Sequence, residues 1–479
     1  MKMLIGGRET ASCSGRETKN INPYTAQVYD TLPLGNSEDF EKAACAARGA
    51  AELWNKVPLY SRIETIFRFV SILKEREDEV VAAMVAEGGK VVTEARAEVQ
   101  CAETVFSGFA EAARNMFGSS MPRNADPRTE NDLLLTVRDP LGVIAAILPF
   151  NFPVELFAHK IAPALLMGNA VIVKPASYTP KSAYLLTKML LEAGVTPGAV
   201  NLVTGSGREF GDWMAATDLV NAVSFTGSTA VGVELLKNGA RTLRRTYLEL
   251  GGNDPFAVFE DCDLDLAVAE AAGGRLWNAG QTCCACKRFL VQNSIRDEFT
   301  ARLAEAVSKA SMGDPSLAST VVGPLVSEKE AVTAESQIRQ VIADGGRLVC
   351  GGDRSGAFIR PAVIDGITPE MDVARDMEIF APVFPVIGFD TFDDAVRTAN
   401  GTKYGLASAV MTENMKTAFC FADRVSAGTC VINGSGNYRS MQQPFGGYKY
   451  SGTGREGTAD TLAEFSQQKT IVLKKVLEK

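Results

Sequence analysis

Val143-Ile144-Ala145-Ala146-Ile147-Leu148 is a short apolar run that stops at Pro149. Comparable runs follow at Ala170–Val173, Val200–Val203 and Ala222–Phe225, separated by helical stretches such as Lys181–Glu192 that end near Gly or Pro. Runs this short, apolar and rich in β-branched residues read as strands buried on both faces. Strands alternating with helices predict a parallel sheet covered on both sides. Crossovers of one hand then bring the loops after the strands to one edge, where open α/β sheets bind ligands. Asn151, Lys174 and Gly227 stand on those loops.

Upstream, Ser37 is the expected cap of a helix, with Glu38 and Asp39 in its first turn, where carboxylates suit the helix dipole. Phe40, Ala43, Ala44, Ala47, Ala51 and Trp54 then recur on one face, and Ile63, Ile66, Phe67, Val70 and Leu73 repeat the pattern. Downstream, roughly 251–433, the alternation resumes with runs such as Phe289–Val291 and Val383–Phe389, and the loops carry Cys283 and Glu378. Leu133–Val137 and Thr470–Leu473 read as isolated strands, whose unpaired edges call for another element or a second subunit.

Composition narrows the function. A chain of 479 residues predicts two or three domains. A net charge of −8 argues against nucleic-acid binding, and the basic cluster Arg241–Arg245 is expected on the solvated surface. The best apolar run falls short of a membrane span, and Gly6-Gly7-Arg8-Glu9 interrupts any leader-like start. Ten irregularly spaced cysteines suit a reducing cytoplasm rather than a disulfide framework. The single histidine, His159, is expected as a half-buried structural residue; alone it cannot build a two-histidine metal site, so no metal is expected.

Without histidine, chemistry falls to cysteine and carboxylate. Asn278–Arg288 places Cys283, Cys284 and Cys286 beside glycine, small polar residues, Lys287 and Arg288. Nearby positive charge or helix N-terminal amides favour the nucleophilic thiolate. A carboxylate such as Glu249, in Leu248-Glu249-Leu250-Gly251-Gly252, could then activate water against a thioester. The residues by themselves do not separate Cys283 from Cys284.

Seven motifs in order make the chain resemble the aldehyde dehydrogenase superfamily over nearly its whole length. They are Leu148–Pro153, Val173–Ser177, Phe225–Thr229, Leu248–Gly252, Gly280–Cys283, Glu378–Val383 and Pro444–Lys449. The resemblance implies a Rossmann-like α/β cofactor domain (1–116 and 139–250), a parallel-sheet catalytic domain (251–433) and a return segment (434–460). Segments 117–138 and 461–479 would be oligomerisation strands of a homodimer or homotetramer. It implies Cys283 as nucleophile, Asn151 with the Cys283 N–H as oxyanion donors, and Glu249 as the base that releases a free acid. An acyl-transferring relative usually lacks that glutamate; a catalytically silent protein on the same fold would have no need of all three residues.

For the cofactor, NAD or NADP, the resemblance implies contacts from Phe150, Lys174, Ser177, Gly227, Ser228, Gly232, Leu250, Glu378 and Phe380. The turn at Gly227 into a helix suits a pyrophosphate, although it lacks the three-glycine fingerprint. NAD-preferring relatives often carry glutamate at the position of Ser177; its absence beside Lys174 favours NADP. Phe150 stands where many relatives have tryptophan. The substrate, a small aldehyde or semialdehyde, is expected among Phe152, Glu155, Thr282, Cys284 and the loop Asn433–Tyr438. Arg439 or Lys287 could meet an anionic substrate, although a surface role is the default for each.

Overall fold

The run at Val143 forms the middle of an eight-stranded sheet. Five neighbouring strands are parallel, in the order Val200–Leu202, Ala170–Lys174, Val143–Ile147, Ala222–Thr226 and Arg245–Glu249. Antiparallel strands close the two sides, Met3–Ile5 beside Val200–Leu202 and Gly452–Thr453 beside Arg245–Glu249. Chain order runs outward in both directions from Val143–Ile147, so the topological switch lies between it and Ala222–Thr226, where such sheets open a crevice. The computed structural model describes residues 1–123 and 126–477.

A second sheet of seven strands centres on Val383–Phe389, Cys286–Gln292 and Asp254–Val258, all parallel. The first sheet lies between two apolar cores, one holding Phe106, Phe157 and Leu166 and the other Phe40, Phe210 and Trp213, and the second sheet lies in a core with Phe256, Phe289 and Phe384. Lys174 is the last residue of its strand rather than a loop residue, because the pairing with Ile147 extends the ladder to it.

Three further expectations need correction. The helix Ser37–Asn55 is capped by Asn36, not Ser37: the Asn36 side chain accepts from the Asp39 N–H, and Asp39 accepts from the Asn36 N–H at 3.0 Å. Asn caps as well as Ser, and the acidic residue three places on completes a reciprocal box only with Asn36. Asp39 is also buried, tying down Ser12 and Cys13. In the cluster Arg241–Arg245, Arg244 is buried and donates to the carbonyls of Met214, Thr217 and Val220, closing groups left open after the helix Gly207–Ala216. Finally, the two isolated strands pair with each other, Leu133–Pro140 antiparallel to Ser466–Leu473. A two-stranded ribbon still has open edges, and Val137, Ile471, Val472 and Leu473 are exposed on it. Of the segments 117–138 and 461–479, residues 124–125 and 478–479 lie outside the described residues. Among the described residues no helix is long and apolar enough to cross a membrane.

Candidate active site

The carboxyl ends of the first sheet face the amino ends of the second. Glu249 ends the strand Arg245–Glu249, and after Leu250–Asn253 the chain enters Asp254–Val258. Cys283 lies just ahead of the strand Cys286–Gln292, and Glu378 just ahead of Val383–Phe389. The second sheet therefore contributes loops that precede its strands, whereas the first contributes loops that follow them.

The loop carrying Cys283 is held from several sides. Asn278, Ala279 and Gly280 all have positive φ (52°, 52° and 76°), a conformation that costs non-glycine residues energy unless it is fixed by partners. Those partners are present. The Asn278 N–H donates to Glu94 at 2.9 Å, and its side chain donates to the carbonyls of Asn151 and Gln281. Arg275, buried, donates to the carbonyls of Gly280, Ile379 and Val383. A Cβ at Gly280 would stand 2.4 Å from the Ala381 backbone, so only glycine lets these loops approach so closely. Asn151 joins the same frame, its Nδ2 donating to the Gln281 carbonyl at 3.0 Å.

Two cavities meet at Cys283, which lines both. The larger, about 910 Å³, lies along the carboxyl edge of the first sheet. Phe150, Lys174, Ser177, Gly227, Ser228, Leu250, Glu378 and Phe380 all line it, together with Asn151. Gly232 does not. A Cβ there would stand 2.5 Å from Leu250 Cδ2, so Gly232 lets the helix Thr229–Gly239 pack on Leu250 instead. The Ser228 hydroxyl makes no capping bond at that helix N-terminus. Burial lowers the Lys174 ammonium to about 8, and its Nζ donates to the Pro175 carbonyl. Phe150 meets Phe380 edge-on, with ring centres 5.9 Å apart. Glu378 is ion-paired with Lys287 at 3.3 Å and accepts from the Gly252 N–H, and a Cβ at Gly251 would fall 2.4 Å from its carboxylate. Sequence reasoning missed Arg208 in this wall, whose only signal is its place in the first turn of the helix Gly207–Ala216. A long cleft with a helix N-terminus, two cations and a glycine-lined turn fits a dinucleotide.

The smaller cavity, about 460 Å³, takes Phe152, Glu155, Thr282 and Cys284 as expected. From the loop Asn433–Tyr438 only Ser435 and Asn437 reach it. Tyr438 is 62% exposed and does not line the cavity, and Asn433 accepts from the Thr412 N–H. Lys287 is neither a surface charge nor a substrate contact: it is buried and donates to the carbonyls of Cys283 and Ala285. Arg439 lines the cavity rather than the surface, paired with Glu456 at 3.2 Å and stacked 3.8 Å over the Phe445 ring. His159 is fully buried, not half-buried; its Nε2 lies 3.3 Å from Arg439, and burial lowers the imidazole to about 3. Glu456 and Lys160, an ion pair at 3.1 Å, were missed. Their only hint was a charged pair between glycines in Gly454–Gly457 and a lysine within an apolar helix.

Electrostatics in the free protein oppose premature ionisation. The Cys283 thiol is raised well above its ordinary value, first by its hydrogen bond with Cys284 and then by burial, against the pull of Lys287 and Arg439. The cations expected to activate it are present, but those two effects outweigh them. Burial also raises Glu249 well above the usual carboxylate range, helped by Glu456 and opposed by Lys160 and Arg439. Glu249 is buried rather than solvated, and its Oε2 has no hydrogen-bond partner. Burial pushes Glu456 up too, but Lys160 and Arg439 win and hold it at about 2.

Cys283 thus stands where a dinucleotide-sized cleft meets a smaller cavity, with the Asn151 amide on the cleft wall. Glu249 lines neither cavity; it is buried close enough for its charge and that of Cys283 to act on each other. The family model described as "Aldehyde dehydrogenase family" matches residues 10–471. The chain belongs to the aldehyde dehydrogenase family. It is an NAD(P)-dependent oxidoreductase acting on aldehydes. The 3-sulfolactaldehyde dehydrogenase of Priestia aryabhattai is 34% identical, covering 95% of this chain and 94% of that aldehyde dehydrogenase. The NADP(+) succinate-semialdehyde dehydrogenase of Escherichia coli K12 is also 34% identical, over 98% and 97%. The crystal structure of an NAD-dependent aldehyde dehydrogenase from Sinorhizobium meliloti superposes with a TM-score of 0.95 at 35% identity, covering 100% of this chain and 95% of that one.

Proposed function

We propose that this protein oxidises a small aldehyde to the free carboxylic acid at Cys283, with NADP as the preferred oxidant. The observation that carries the reading is the position of Cys283 on the walls of both cavities, so one sulfur can face substrate and cofactor together. Cys283 gives its proton to solvent and attacks the aldehyde carbon as the thiolate, and the sp³ adduct holds a hydrogen that a planar aldehyde gives up poorly. The oxyanion is met by the Cys283 N–H and by the Asn151 amide, which keeps one N–H beyond its bond to Gln281. Bound nicotinamide supplies the hydride acceptor, with Phe150, Leu250, Glu378 and Phe380 holding its end of the cleft and Gly227 and Ser228 the phosphates.

Collapse of the adduct leaves a thioester on Cys283. Glu249, once ionised, takes a proton from water; the hydroxide adds to the acyl carbon, the C–S bond breaks and the acid leaves. A buried glutamate is a stronger base than a solvated one, because burial raises its pKa. This favours hydrolysis over acyl transfer to a thiol cofactor. Ser177 and the cations Lys174 and Arg208 in the cleft wall support NADP, since a 2′-phosphate would meet no carboxylate at position 177.

On this reading, residues 1–116 and 139–250 bind cofactor, 251–433 carry the nucleophile and 434–460 return to the cofactor domain, where Gly452–Thr453 joins the first sheet. The ribbon of Leu133–Pro140 and Ser466–Leu473, with its exposed apolar residues, would be covered by a second copy in a homodimer or homotetramer. Ten free cysteines suit the cytoplasm. Steady-state formation of reduced cofactor across an aldehyde panel, with NAD and NADP in parallel, tests the reading. Turnover lost in Cys283→Ala supports it; failure to oxidise any aldehyde with either cofactor rejects it.

A further inference from the structure

Charge on the walls of the smaller cavity constrains what the far end of the aldehyde carries. Among the described residues, Glu98, Glu155, Glu270 and Glu456 line it, against the guanidinium of Arg439. Two of these carboxylates are already matched. Glu98 is ion-paired with Lys90 and accepts from the N–H groups of Val154 and Glu155. Glu456 is held between Lys160 and Arg439.

Glu155 and Glu270 are different. Among the described residues neither has a lysine or arginine within 4.0 Å. The nearest basic group to Glu155 is His159 at 3.9 Å, and burial keeps that imidazole neutral near pH 7. Glu270 uses one oxygen on the Ser435 N–H at 2.8 Å. Trp277 lies on the same wall, one residue past the helix Leu264–Leu276 that carries Glu270, with its side chain partly exposed.

We infer that this cavity selects aldehydes bearing an amino or quaternary ammonium group at the far end, with Glu155 and Glu270 as counter-charges and Trp277 as the aromatic face beside it. The inference rests on the aldehyde-oxidising reading above. An ammonium entering a half-buried cavity gains attraction from unpaired carboxylates and from an indole face. An anionic tail would lose its water beside those carboxylates, and the one cation among the described residues on the walls already serves Glu456. Arg439 Nη1 is buried without an acceptor and can take a neutral oxygen. A carboxylate reaching it would also meet Glu456 and Glu155, both of which act on the Arg439 charge.

The test compares 3-aminopropanal, butanal and 4-oxobutanoate, which share the reacting end and differ in the terminal group. The expected order of kcat/KM is ammonium, then methyl, then carboxylate. In Glu270→Gln and in Glu155→Gln, the ratio of kcat/KM for 3-aminopropanal to that for butanal falls by roughly tenfold, equivalent to about 1.4 kcal/mol. Butanal turnover in each variant reports that it is folded. A preference for 4-oxobutanoate over butanal, or an unchanged ratio in both variants, overturns the inference and leaves the oxidation chemistry standing. No oxidation of any aldehyde overturns both.

Discussion

Asn151 and Gln281 are joined by a hydrogen bond of 3.0 Å, side-chain amide to carbonyl, across the seam between the two sheets. The bond ties the loop after Val143–Ile147 to the loop that carries Cys283, and it aims the remaining Asn151 N–H by fixing the amide plane. Asn151→Ala is expected to lower kcat by roughly 10²–10³-fold, the usual effect of losing one oxyanion donor. Folding should change little, because Asn278 Nδ2 still donates to the Gln281 carbonyl at 3.2 Å. Single-turnover rates and a thermal melt of the same sample check both halves, and a fall of less than about tenfold would remove Asn151 from the oxyanion site.

Cys284 lines the smaller cavity and also acts on its neighbour Cys283. Its hydrogen bond is the largest of the effects that raise the Cys283 thiol. Cys284→Ala should therefore shift the pH profile of alkylation at Cys283 toward lower pH, with aldehyde oxidation retained. Iodoacetamide inactivation rates over a pH series measure this. Loss of all oxidation in Cys284→Ala, with Cys283→Ala still active, would reverse the roles of the two thiols.

Glu249 must be ionised to take a proton from water, and burial with Glu456 nearby raises its pKa. Thioester hydrolysis should accordingly rise with pH through a point well above the ordinary glutamate value of 4.5. Glu249→Gln should leave a burst of reduced cofactor followed by slow turnover. In Glu456→Gln one contribution raising Glu249 is gone while Lys160 and Arg439 still lower it, so the acid limb of kcat should move to lower pH. An unmoved limb would point to another base.

Glu456 also links the fold to acid. Its folded pKa of about 2 lies below the ordinary 4.5, so its stabilising contribution is complete above 4.5 and is lost as pH falls toward 2. Glu456→Gln leaves Lys160 buried without its counter-ion and should destabilise by roughly 3 kcal/mol near neutral pH. Denaturant unfolding from pH 7 down to pH 2 should show the gap between wild type and variant closing with acid; a constant gap would contradict the linkage.

Ser177 lines the cofactor cleft without charge. Placing a carboxylate there should repel a 2′-phosphate by about 1 to 4 kcal/mol, depending on the local dielectric. Ser177→Glu is expected to reduce kcat/KM for NADP by at least about fivefold relative to NAD. Equal losses with both cofactors would show that this position does not read the phosphate.

Sequence alone settled the parts of this protein that short-range patterns encode. The buried strands at Val143, Ala170, Val200 and Ala222 are legible because an apolar run between helical stretches has one stable use, in a covered parallel sheet. The loops bearing Asn151 and Gly227 followed from where those runs stop, and motif order named the family. The cap at Asn36 was misplaced by one residue because Asn36 and Ser37 are equally good local candidates, and only the Asp39 contacts choose between them. What tertiary structure decided is charge. Arg244, Arg275, Arg439 and Lys160 look like ordinary surface cations in one dimension. Their burial depends on carbonyls and carboxylates brought together from far along the chain, as Lys160 and Glu456 are across 296 positions. Attraction between such groups acts through space, and no periodicity along the sequence records which of them share a cavity.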